Sequence, residues 1–148
     1  VRHPLDGFGV LCPGGENRRI LGSLWLSSLF PGRVPDGHVL TTCFVGGARA
    51  PERAALADDD LISLVREEQE DLLGATGAPE MVRIVRWPRA IPQYVQRHLD
   101  RIGRVEGFEL SHAGIRLVGS WRDGISVPAS WASGHRAGTE ILARFQRG

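Results

Sequence analysis

The sequence has only two cysteines, Cys12 and Cys43, set far apart, and it reads as carrying buried thiols in a reducing compartment rather than a disulfide framework. No apolar run approaches the ~18 residues of a membrane span, and no basic amphipathic stretch looks like a surface anchor. Neither sign of charge dominates: 18 Lys plus Arg stand against 17 Asp plus Glu, a formal net charge of +1. Nucleic acid is therefore not an expected partner, and an acidic tail is excluded. The five histidines never fall at ligand spacing with Cys or carboxylates, so no metal site is expected. A Gly-x-Ser-x-Gly elbow, a Cys/His nucleophile signature and a Gly-x-Gly-x-x-Gly fingerprint are all missing, which disfavours hydrolysis and a complete dinucleotide site.

What is present suits one ordinary domain: 148 residues, 42% hydrophobic and 24% charged. The chain opens at Val1 in a glycine-rich stretch, as a piece of a longer protein would. Phe8–Cys12, Arg19–Ser28 and "HVLTTCFVGG" (38–47) read as three antiparallel strands, the first two joined as a hairpin through a turn at Pro13–Asn17. "ADDDLISLVREEQEDLLGATG" reads as a helix capped by Asp58, with Asp59 and Asp60 at its positive end and a stop at Gly74. Leu61, Val65 and Leu72 would share its buried face, and Glu67, Glu68, Glu70 and Asp71 would form a solvated one.

"EMVRIVRWP" (80–88) reads as a strand ended by Pro88, followed by an amphipathic helix through Val95, Leu99, Ile102 and Val105. "GIRLVG" (114–119) reads as a short strand leading to a helix from Pro128 to about Gln146. The fold class is mixed α/β or α+β. In "VGSWRDGISVPASWASGHRAG" (118–138) a strand would pass through a loop bracketed by Gly119 and Gly124 into that helix, whose first N–H groups lack intrahelical partners. Such a turn can face an anion, and Ser130, Gly134 and Gly138 leave one helix side narrow. Glycines can equally serve only to make a turn and let helices pack.

Taken in order, "GFGVLCP", "ILGSLWLSSLFPGR", "HVLTTCFVGGAR", "RWPRAIPQYVQRH" and "LVGSWRDGISVPASWASGHRAG" resemble the C-terminal part of the oxygen-dependent, FAD-containing protoporphyrinogen oxidases. The resemblance covers nearly the whole chain and implies the C-terminal portion of a two-domain, amine-oxidase-type FAD-binding fold. It implies residues 1–112 as part of the substrate domain and 113–148 as a returning strand–loop–helix of the FAD domain. It further implies a porphyrinogen substrate, dioxygen as acceptor, a role in heme biosynthesis, a cytoplasmic enzyme, and a homodimer as one assembly. Membrane contact would come through segments outside this chain, and the chain alone would be inactive. By the same resemblance the backbone of Gly124, Ile125, Ser126 and Val127 passes beside the flavin ring, and Trp87 lies near it, with plain core packing the alternative for Trp87. No catalytic residue is assigned. Trp121 and Trp131 depart from the smaller or different residues usual in that family. Coproporphyrinogen oxidation, another flavoenzyme of the same fold, and a non-enzymatic α+β binding module are the competing readings.

Overall fold

The computed structural model describes residues 1–146, which divide into two compact units, one of Val1–Arg86 and one from Trp87 onward. In the first unit, β1 (Gly9–Leu11), β2 (Ile20–Trp25) and β3 (Thr41–Val45) form an antiparallel sheet in the order β1-β2-β3, with a 3-10 turn at Gly14–Glu16 in the β1–β2 connection. The hairpin and third strand thus stand as the sequence suggested, each shorter at its ends. Two short helices, α1 (Leu26–Leu29) and α2 (Pro51–Ala54), precede the long α3 (Asp58–Leu73).

β2 and β3 are out of step between Ile20 and Gly22: Ile20 pairs with Val45 and Gly22 with the next residue back, Phe44. Leu21 is the extra residue, and the bulge resets the alternation of faces. Ile20, Ser23 and Trp25 consequently all turn inward and are buried, although strict alternation would separate Ile20 from the other two. Leu5, Trp25 and Leu73 make the core cluster, with Val10 and Leu72 packed against it. The N–H groups of Arg2 and His3 donate to the Leu73 carbonyl at 3.1 and 3.0 Å, fastening the start of the chain to the end of α3.

Gly74 ends α3 in the left-handed conformation (φ 61°), as a C-terminal glycine should. The start differs from expectation. Ala57 occupies the cap position with no side-chain hydrogen bond, and Asp58 is already helical, so its carboxylate acts through the helix dipole instead of a cap. The buried stripe also differs: Leu61, Leu64, Glu68, Gln69 and Leu73 are buried, whereas Val65 and Leu72 are half-buried. Glu68 does not lie on a solvated face. It is 5% exposed because its carboxylate accepts from the Arg19 N–H (3.1 Å) and the Arg19 guanidinium (3.2 Å), with Arg18 at 3.5 Å. Glu67, Glu70 and Asp71 are exposed, as expected.

Cys12 and Cys43 are both free and only half-buried, not buried. Burial still pushes the Cys43 thiol up from its ordinary pKa, against lowering by its contact with the Ser23 hydroxyl. Residues 80–88 form no strand. Their alternation records a preference for two faces, but a strand also needs a ladder partner, and the described sheet ends at β3.

The second unit is built on α4 (His98–Ser111) and α5 (Val127–Phe145). α4 starts later than its sequence pattern suggested: Arg97 takes a left-handed conformation (φ 65°), which leaves Val95 outside the helix, and Leu99 is exposed. Among the described residues, the buried side chains of this unit are polar, Glu109 and Ser133, and the six buried apolar ones all belong to the first unit. No described helix is long and apolar enough to cross a membrane.

Candidate functional site

The expected strand at 114–119 is also absent, for a local reason: its backbone polar groups bond to side chains. The Glu109 carboxylate of α4 accepts from the Leu117 N–H at 2.7 Å and from the Arg122 guanidinium at 2.6 Å, and Arg122 also donates to the Leu117 carbonyl at 2.9 Å. Burial raises the pKa of Glu109, but the Arg122 hydrogen bond and the Leu117 N–H outweigh it and hold the carboxyl below its usual range. A buried carboxylate whose Oε1 takes two charge-assisted bonds is a rigid anchor for the chain that passes it.

Beyond Arg122 the turn is tied from a second side. The Asp123 carboxylate accepts from the Ser133 hydroxyl on α5 and sits 3.4 Å from the Arg136 guanidinium. A third tie comes from Tyr94, the chain's only tyrosine. Its hydroxyl donates to the Ser120 carbonyl at 2.7 Å and accepts from the Gly124 N–H at 3.0 Å. Its ring stacks on His98 with centroids 4.4 Å apart and planes 8° off parallel.

Gly124 has φ 130°, a conformation that L side chains rarely adopt, and a Cβ there would lie 2.9 Å from the Ala129 Cβ. Ser126 is the N-cap of α5, and its hydroxyl accepts from the Ala129 N–H at 3.2 Å. Val127 and Pro128 open the helix, one residue earlier than the sequence indicated, and the first turn carries no acidic residue. With Gly124 bonded to Tyr94 and Ala129 to Ser126, the N–H groups of Ile125, Ser126 and Val127 enter none of the hydrogen bonds among the described residues. These unspent donors sit at the positive end of a 19-residue helix, on a turn whose glycine lets the backbone lie close against Ala129. Such donors favour partial negative charge, which the edge of a reduced flavin would present.

Four of the five residues singled out from sequence are therefore contiguous at this turn: Gly124, Ile125, Ser126 and Val127. Trp87 is in the same unit, 73% exposed, and makes none of the hydrogen bonds or ring stacks of the described residues. Sequence reasoning missed Tyr94, Glu109 and Asp123, which hold the turn. For Tyr94 a signal existed, a lone tyrosine inside "RAIPQY"; for Glu109 none did, since it is one charge among several on α4.

Comparison with known proteins extends over nearly the whole chain. The sequence pattern of the family described as flavin containing amine oxidoreductase matches residues 2–142. The mitochondrial protoporphyrinogen oxidase of Nicotiana tabacum is 34% identical over 99% of this chain and 30% of its own length. Coproporphyrinogen III oxidase of Bacillus subtilis (strain 168) is 27% identical over 93% of this chain and 29% of its own length. A crystal structure from Exiguobacterium sp. 255-15, provisionally assigned as a protoporphyrinogen oxidase, superposes with a TM-score of 0.76 at 27% identity, covering 97% of this chain and 31% of that one. The chain thus spans about 30% of the length of the relatives it matches most fully. A match over nearly every residue, in sequence and in fold, means that the chain belongs to the flavin containing amine oxidoreductase family.

Proposed function

We propose that the protein is an FAD-dependent porphyrinogen oxidase that converts protoporphyrinogen IX to protoporphyrin IX with dioxygen as acceptor, and that this chain supplies the backbone turn facing the flavin ring. The observation that carries the reading is the turn at 124–127, with three unspent N–H groups at the positive end of α5. The names of the tobacco relatives support the substrate class.

FAD, when bound, supplies hydride acceptance from the porphyrinogen and reoxidation by dioxygen. The chain's own part is orientation and electrostatics. The Ile125, Ser126 and Val127 N–H groups would hold the flavin, and they and the α5 dipole would favour the negative charge of its reduced form. Ser126 fixes where α5 begins, so the donors keep their direction. Exposed Trp87 is assigned the neighbourhood of the ring, where an aromatic face can pack on its edge. We assign residues 113–148 to the FAD-binding domain and 1–112 to the substrate domain.

Coproporphyrinogen III is the second substrate reading, favoured by two bacterial relatives bearing that name, 27% and 25% identical over 93% and 98% of this chain. Supplying the purified FAD-loaded protein with each porphyrinogen under air, and following the fluorescent porphyrin formed with the dioxygen consumed, separates the two. Product from neither substrate would sink the assignment.

A further inference from the structure

We infer that Tyr94 is a positioning residue for the flavin: its hydroxyl clamps the turn at both ends and so sets where the Ile125, Ser126 and Val127 donors point. The inference rests on the reading of function given above. Its geometry is independent of that reading. One hydroxyl oxygen uses its proton on the Ser120 carbonyl, at 2.7 Å, and a lone pair on the Gly124 N–H, at 3.0 Å. It therefore fixes the separation of two backbone groups that flank the tip Trp121–Asp123.

The clamp has two consequences. Gly124 spends its N–H internally, so the Gly124 amide cannot donate to a ligand while the clamp is closed, and the donors available to one begin at Ile125. The Gly124 conformation, φ 130°, is held by a bond to its own amide and not by neighbouring backbone pairing. Tyr94 is itself held: it stacks on His98, the first residue of α4, so the hydroxyl is carried on a ring whose direction the helix sets. The Glu109–Arg122 and Asp123–Ser133 ties act on the middle of the turn, whereas Tyr94 acts on the step into the donors.

Tyr94→Phe keeps the stacked ring and removes only the hydroxyl. In the FAD-loaded full-length protein we expect about tenfold weaker FAD binding, a shifted flavin absorption band, and a lower kcat with an unchanged KM for the porphyrinogen. In the same protein stripped of FAD, the Gly124 amide should exchange with deuterium at least about tenfold faster, while the amides in the middle of α5 exchange as before. Unchanged Gly124 exchange would overturn the clamp. Faster exchange with unaltered FAD affinity and spectrum would overturn the positioning role, as would weakened FAD binding with unaltered exchange, which would make the hydroxyl a direct contact. Failure of the unmutated protein to bind FAD would overturn the reading of function, and with it the role toward the flavin. Should the variant fold poorly, His98→Ala retains the hydroxyl while freeing the ring, and it should give a smaller change in the same two readouts; no change in either would overturn the inference.

Discussion

Gly124 and Gly134 are both glycines of the α5 region, and they are expected to answer a new side chain in opposite directions. At Gly124 a β-branched residue meets both an unfavourable φ and the Ala129 Cβ, so Gly124→Val should cost about 1–3 kcal/mol in urea unfolding. At Gly134 a Cβ meets nothing within 4 Å inside a regular helix, and Gly134→Ala should gain about 0.5–1 kcal/mol. Glu109 gives a pH-dependent counterpart. Its pKa in the folded state lies below its unfolded value, so the native state binds fewer protons there, and the stabilisation is fully present above the unfolded carboxylate pKa. It is lost as pH falls through the lower, folded pKa. Thermal unfolding followed down through the acid range should show this loss, and Glu109→Gln should remove that part of the pH dependence; an identical acid profile would contradict the anchor. A sequence shows that Gly124 is a glycine and Glu109 a carboxylate, but not that one has φ 130° and the other a guanidinium at 2.6 Å.

α3 carries four acidic residues in five positions, and the fold treats them unequally. Glu68 is buried against Arg18 and Arg19, whereas Asp71, although paired with Arg18, is largely exposed. Removing the buried partner leaves cationic and backbone donors uncompensated, so Glu68→Ala should cost about 2–3 kcal/mol, while Asp71→Ala should cost under about 0.5 kcal/mol. Equal effects in denaturant titrations would show that the burial of Glu68 does not matter. The stop of α3 was legible because Gly74 acts on its own backbone. The burial of Glu68 was not, since its partners come from a turn some fifty positions upstream. Residues 80–88 and 114–119 show the same limit from the other side: alternation was legible, but the first has no ladder partner in the described sheet and the second gives its backbone to Glu109 and Arg122. The helices α3 and α4 were visible from their apolar spacing and α5 from Pro128 at its first turn, whereas their exact starts and which side chains they bury were not.

At the scale of the whole molecule, the chain holds the turn proposed to face the flavin ring but lacks a Gly-x-Gly-x-x-Gly fingerprint for a pyrophosphate. The 148 residues alone should therefore fail to retain FAD stoichiometrically; recovery of a yellow one-to-one complex after gel filtration would contradict this. The first unit gathers the buried apolar side chains, and in the second the buried groups are an ion-paired carboxylate and a hydroxyl, so the two should differ in how cooperatively they unfold. One detail of the first unit reaches further. The backbone of Arg2 and His3 is bonded to Leu73, so two stretches some seventy positions apart are fastened together. Such a tie acts as a staple: a nick in an exposed loop between the two positions would leave both pieces held in one folded body.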